Sequence, residues 1–171
     1  MRPGPGARWT WTSPEPSMGS EDQDHPTEAV QSACGPQRAA PRIFLAEDDD
    51  ALRSLLAWVL HEDGCEVLEA DDGIKLAAAM HLGNPSGAAP EADLVISDIR
   101  MPGATGLQIL EALRELDRPI PCILITAFGD PMVHQEAMRL GASAVFDKPF
   151  DIEEFRVVVR KILGRAPRTI L

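Results

Sequence analysis

The stretch IFLAEDDDALR sets four acids in a row, Glu47 to Asp50, between an apolar run and a helical pattern. Two like charges 4 Å apart repel by roughly 4 kcal/mol at an effective dielectric of about 20, so such a run persists only if something uses the charges. A lone acid, Asp98, follows a second apolar run, LVIS; Thr126 closes a third, CILIT; and Lys148 stands before Pro149. Brought together, Glu47, Asp48 and Asp98 offer oxygen alone, which suits Mg²⁺, Mn²⁺ or Ca²⁺ rather than zinc. A divalent cation turns the repulsion of three converging carboxylates into attraction. Mg²⁺ takes one or two carboxylates and completes its shell with water and phosphate oxygens, so the partner of such a site carries phosphate. A carboxylate can itself accept a phosphoryl group, forming a mixed anhydride. Lys148 would supply compact positive charge for the phosphoryl oxygens and Thr126 a hydroxyl donor. Two other uses fit less well. A calcium loop of the EF-hand kind needs Gly at its sixth position, and DDDALR has Arg53 there. A phosphate-ester hydrolase with an Asp nucleophile often has a second acid two residues on, where this chain has Arg100.

Chemistry spread so widely along the chain needs a fold that gathers it. Short apolar runs at Ile43–Ala46, Glu66–Glu69, Leu94–Ser97, Cys122–Ile125 and Ala144–Phe146 read as strands. Helical patterns alternate with them. Leu52, Leu55, Leu56, Val59 and Leu60 form an inward stripe closed by Gly64; Leu107, Leu110 and Leu113 point inward from a helix over Gly106–Leu116. Ile152, Phe155, Val158, Val159 and Ile162 mark the last helix, and weaker patterns cover Asp72–Leu82 and Pro131–Leu140. Five strands alternating with helices predict an α/β sheet, all parallel through right-handed crossovers, with helices on both faces. LVIS and CILIT read as strands buried on both sides. Function in such sheets sits beyond the carboxyl ends of the strands. That edge collects Glu47 and Asp48, Asp71 and Asp72, Asp98, Thr126 and Lys148. Asp71 and Asp72 precede a helix and suit an N-cap role; Asp49 suits the cap of a helix beginning near Asp50. Met101 reads as loop packing, and none of His25, His61, His81 and His134 has an evident partner.

At this point four motifs in order, FLAEDDDALR, LVISDIRMPGATGLQIL, ILITAFGD and GASAVFDKPFD, resemble the receiver domain of two-component response regulators over about residues 42–165. The resemblance implies a flavodoxin-like (βα)5 fold, a doubly wound five-stranded parallel sheet of strand order 2-1-3-4-5. It implies that Asp98 accepts phosphate from a histidine kinase or a histidine phosphotransfer protein. It also implies that Glu47, Asp48 and Asp98, with the backbone carbonyl of Arg100, hold Mg²⁺. Thr126 and Lys148 would engage the phosphoryl group, and the Lys148–Pro149 bond would be cis. One departure stands out: Val145 occupies the place where the family usually has an aromatic switch residue, with Phe146 beside it.

The rest of the chain bounds this reading. Residues 1–41 hold seven of the fifteen prolines and no Ile, Leu or Phe, so they are expected to be a disordered extension, and 166–171 a short tail. A net charge of −11 argues against a nucleic-acid surface. No apolar run approaches a membrane span or a signal peptide. Three scattered cysteines, Cys34, Cys65 and Cys122, point to free thiols in a cytoplasmic protein. The expected function is a phosphorylation-dependent switch rather than a classical enzyme. With the chain ending at Leu171, output is expected through protein contact on the face formed by Pro131–Leu163, or through onward phosphotransfer; apolar side chains on that face would also serve a homodimer. A hydrolase and a receiver-like module that is never phosphorylated are the alternatives.

Overall fold

A computed structural model describes residues 40–82, 91–127 and 129–164. Strands β1 (Arg42–Ala46), β2 (Glu66–Ala70), β3 (Leu94–Asp98), β4 (Cys122–Thr126) and β5 (Ala144–Asp147) alternate with helices α1 (Asp50–Glu62), α2 (Gly73–Ala79), α3 (Gly106–Glu115), α4 (Pro131–Arg139) and α5 (Ile152–Ile162). The strands pair in parallel in the order β2-β1-β3-β4-β5. This is the flavodoxin-like sheet that the sequence implied. Every residue of β3 and β4 is buried, which is why those strands read as unbroken apolar runs. At the edge, most of β2 is exposed and carries Glu66 and Glu69, charges that discourage pairing with another chain.

The pleat divides the apolar side chains between two cores. Ile43 and Leu45 join Leu56, Leu60, Phe155 and Val159 under α1 and α5, whereas Phe44 and Ala46 join Leu76, Leu110, Leu113 and Ala137 on the other face. Two stripe residues differ from expectation. Leu55 is 42% exposed although it falls on the periodic stripe; it lines an open apolar groove of about 420 Å³ with Leu52, Pro149, Phe150 and Ile152. On α3, Ile109 is buried alongside Leu110 and Leu113, and Leu107 only half so.

Each helix starts where a strand has just ended, and each has a side-chain cap. Asp49 accepts from the N–H groups of Ala51 and Leu52, Asp72 from Lys75, Asp130 from Met132, and Asp151 from Glu153 and Glu154. Thr105 and Gln108 form a reciprocal capping box on α3. The cap roles expected for Asp49 and Asp72 are therefore as observed, while Asp71 pairs with Lys75. After α1 the chain turns at Gly64, whose φ of 76° suits the left-handed residue that ends a helix. A tie then joins the first helix to the last. Asp63, the last cap residue of α1, accepts from Arg156 at 2.6 and 3.0 Å and from Arg160 at 2.7 Å, holding α5 against α1.

The loop that follows β3 lies against the start of α2. Gly73 donates its N–H to the Pro102 carbonyl, and a Cβ on Gly73 would stand 1.9 Å from the carbonyl oxygen of Ala104. Backbone cannot rotate out of the way, so Gly73→Ala is expected to cost about 1–3 kcal/mol. The measurement is a urea titration; a midpoint equal to that of the wild type would refute the close approach.

The expected disordered extension and C-terminal tail, Cys34, His25, and most of the long connection after Leu82 lie outside the described residues. Cys65 and Cys122 are buried, and burial pushes the Cys122 thiol up to about 12. Among the described residues, no helix is long and apolar enough to cross a membrane.

Candidate functional site

The carboxyl edge of the sheet brings together residues that are far apart in sequence. Asp98 and Thr126 are the last residues of β3 and β4 rather than the first beyond them, each strand running one residue longer than its apolar run. Both are buried, at 4% and 1% exposure. Glu47 follows β1, fully buried, with its N–H donating to the Ala70 carbonyl. Asp48, next in the chain, is exposed. Carboxylate oxygens of Glu47, Asp48 and Asp98 lie within 4.8 Å of one another. Lys148 follows β5 and donates its own N–H to the Thr126 carbonyl at 2.7 Å, locking the two strand ends together. The Lys148–Pro149 bond is cis.

Lys148 is the hub of this group. Its Nζ donates to Glu47 Oε1 at 2.8 Å and to Asp98 Oδ2. The other Asp98 oxygen, Oδ1, accepts from the Arg100 N–H at 2.7 Å. Burial pulls the Lys148 amine down, but its bonds to Asp98 and Glu47 outweigh that and hold it above its ordinary value. Burial lifts the Glu47 carboxyl above 4.5, and the Asp98 charge adds to the lift against the pull of Lys148.

The second Glu47 oxygen, Oε2, is buried without a hydrogen-bond partner. A buried polar atom left in this way is rare and costly. Its carboxylate belongs to a set of hard oxygen donors in which three carboxylates meet one ammonium, an arrangement that fits a hard divalent cation. Asp71 and Asp72, occupied by Lys75 and the α2 cap, stand outside the cluster.

A family comparison agrees with this geometry: residues 43–160 match the response regulator receiver domain. The chain belongs to the response regulator receiver family. Among curated relatives, this receiver is 34% identical over 122 residues to sporulation initiation phosphotransferase F of Bacillus subtilis, covering 71% of this chain and 93% of that one. It is 36% identical to the C4-dicarboxylate transport transcriptional regulatory protein DctD of Pseudomonas aeruginosa, over 77% of this chain but only 27% of the relative. A third relative, the transcriptional regulatory protein FixJ of Azorhizobium caulinodans, is 34% identical, with 72% and 56% covered. The receiver thus spans nearly all of the first and about half or less of the two transcriptional regulators. Among solved structures, chemotaxis protein CheY4 of Vibrio cholerae superposes with a TM-score of 0.63 at 25% identity, covering 72% of this chain and 99% of that one. The HemR receiver domain of Leptospira biflexa gives 0.62 at 26%, covering 76% and 99%.

Sequence reasoning named the residues that the edge collects, but it missed several partners. His134 Nε2 lies 2.8 Å from Asp147 Oδ1, joining α4 to the residue before Lys148, and His61 Nδ1 lies 3.1 Å from the Cys65 carbonyl. The expectation that these histidines lack partners is corrected: His134 meets its partner across thirteen residues, and His61 meets a backbone carbonyl, which no residue type marks. Met101 is buried in the core below the site, as its packing role requires. Val145 and Phe146 go to opposite faces, Phe146 packing on Phe150 and Phe155 with centroids 5.4 and 5.5 Å away.

Proposed function

We propose that this receiver is a phosphorylation-dependent switch with Asp98 as phosphoryl acceptor, supplied by a histidine kinase or a histidine phosphotransfer protein. The observation that carries the reading is the Asp98 carboxylate at the end of β3, held between Lys148 and the Arg100 N–H beside the orphaned Glu47 oxygen. In the transfer, an Asp98 oxygen attacks phosphorus, the phosphorus–nitrogen bond of the donor phosphohistidine breaks, and the imidazole leaves with the electron pair and takes up a proton. The product is the acyl phosphate of Asp98. Glu47, Asp48 and Asp98, with the Arg100 backbone carbonyl, would hold Mg²⁺, which when bound neutralises charge on the phosphoryl oxygens. Lys148 keeps its charge and pairs with a phosphoryl oxygen, releasing Asp98 as it does so. The Thr126 hydroxyl, two strands from β1 on the same edge, donates to another.

The added charge, about two units, then biases the surface built from α4, β5 and α5. Met132, Met138 and Val157 are exposed there and offer apolar contact to a downstream protein target or to a second copy. Because the family's aromatic is absent at Val145, the shift would pass through the backbone between Thr126 and Lys148 rather than through an aromatic rotamer. The name of the nearly full-length Bacillus relative, a phosphotransferase, supports onward transfer as a further output.

The test is intact mass after incubation with Mg²⁺ and a small acyl phosphate. Wild type is expected to gain one phosphoryl group and Asp98→Ala none. No gain in wild type would leave a binding module; an unchanged gain in Asp98→Ala would move the acceptor elsewhere. Steady turnover of an added phosphate ester would support a hydrolase instead.

A further inference from the structure

Arg53 lies in the second turn of α1 and belongs to neither the acid cluster nor the proposed phosphoryl-binding set, yet three parts of the edge converge on it. Its Nη1 donates to the backbone carbonyl of Glu47 at 2.8 Å, its Nη2 to the Asp50 carboxylate, and its Nε faces Glu69 of β2 at 3.6 Å. The side chain is only 15% exposed, so the guanidinium is seated rather than waving in solvent. Glu47 is the first residue beyond β1, and its N–H is still held by the Ala70 carbonyl at 3.1 Å. Arg53 takes the carbonyl on the other side of the same residue. The Glu47 backbone is therefore gripped at both of its polar groups, and that grip sends the Glu47 side chain into the interior while Asp48 turns out to solvent. A guanidinium does this well because its rigid fork serves several acceptors at once.

We propose that Arg53 is a positioning residue for the cation site: by holding the Glu47 carbonyl it aims the buried carboxylate at Asp48 and Asp98, and by pairing with Asp50 and Glu69 it keeps those acids from competing for the ion. The inference rests on the cation reading given under the proposed function. Its strength is that charge and position predict opposite signs. As a positive charge beside the site, Arg53 repels a divalent cation, so removing it would tighten binding if charge were its only effect. As the residue that aims Glu47, its removal loosens the ligand set and weakens binding.

The experiment is calorimetric titration of the full chain with Mg²⁺, for wild type, Arg53→Met, Arg53→Lys and Glu47→Gln. Removing a group that orients a metal ligand costs on the order of tenfold or more in affinity, so both Arg53 variants are expected to bind about tenfold more weakly. Arg53→Lys is the sharper case, since it keeps the charge and loses the fork. Affinity equal to or tighter than wild type in either variant overturns the positioning role. No saturable binding by wild type, or undiminished binding by Glu47→Gln, overturns the cation reading itself. If Arg53→Met does not fold in metal-free buffer by circular dichroism, Arg53→Lys decides; if neither folds, Arg53 serves stability and the proposal fails.

Discussion

Replacing Lys148 with methionine is expected to lower the melting temperature in metal-free buffer by roughly 10 °C. The Lys148 ammonium is the shared partner of Glu47, which is fully buried, and of Asp98, which nearly is. Removing one member of a buried ion pair costs about 3–5 kcal/mol, because the charge left behind is uncompensated. Here two carboxylates are left facing each other, one of them already carrying an oxygen without a partner. That is a large share of the roughly 5–15 kcal/mol that holds a domain together. The deficit should depend on pH in a definite direction. Burial already raises the folded-state pKa of Glu47 above 4.5. A carboxyl raised in this way favours the fold while protonated, and that contribution is lost as pH rises from 4.5 through the folded value. Without Lys148 the rise is greater, so the gap between variant and wild type should widen as pH climbs through that window and close below it. Calorimetric melts in the presence of a chelator across pH would show this. A gap independent of pH would mean that Lys148 acts through packing of its aliphatic stem. Phosphoryl incorporation should fall with it, whereas Lys148→Met/Glu47→Gln should regain stability without regaining incorporation.

Breaking the tie between α1 and α5 is the second large effect. Asp63→Ala is expected to cost about 3 kcal/mol, since it takes the shared carboxylate from Arg156 and Arg160, whose side chains are 20% and 13% exposed, and leaves Arg156 only the exposed Glu153. Burial alone would lift the Asp63 carboxyl, but hydrogen bonds from the two arginines outweigh it and hold the pKa below 3.8. A carboxylate depressed in the folded state contributes fully above its unfolded value and loses that contribution as pH falls through the folded value. The wild type should therefore lose its advantage over Asp63→Ala as pH falls below 3.8, a gap that grows with rising pH as for Lys148→Met but in a lower window. Urea titrations at neutral and acid pH separate the two. Because Asp63 sits at the far end of α1 from the acid cluster, Mg²⁺ affinity should be unchanged; a parallel loss would show that the variant had disturbed the whole sheet.

The architecture was legible in the sequence because its strongest signals are local. A strand buried on both faces is apolar along nearly its whole length, and LVIS and CILIT are, save for Ser97 and Thr126; a helix start favours a side-chain acceptor, and Asp49 and Asp72 each stand at one. The candidate site followed from topology, since a parallel sheet exposes all its strand ends on one edge. What stayed hidden depends on chain segments meeting in space. The Asp63 tie spans separations of 93 and 97 residues, and no spacing rule marks Asp63 among the other acids. Leu55 fits the helical stripe perfectly well by period, but it lies at the flank where α1 overhangs the groove beside Phe150. Arg53 reads as an ordinary helix-surface cation until Glu47 and Glu69 are seen around it.

The helix caps have a consequence for how molecules arrive. Four of the five are aspartates, and all stand on the edge that carries Glu47, Asp48 and Asp98. These caps and the acid cluster gather carboxylates on that edge, and their field reaches outward over about a Debye length, roughly 8–10 Å in physiological salt. A small phosphoanion drifting toward Asp98 is slowed by that field before Lys148 can attract it. A donor protein that presents lysines and arginines around its phosphohistidine is instead drawn in and oriented, faster as ionic strength falls. On the proposed function, residues placed to finish helices would thereby also favour a protein over a metabolite as the phosphoryl donor.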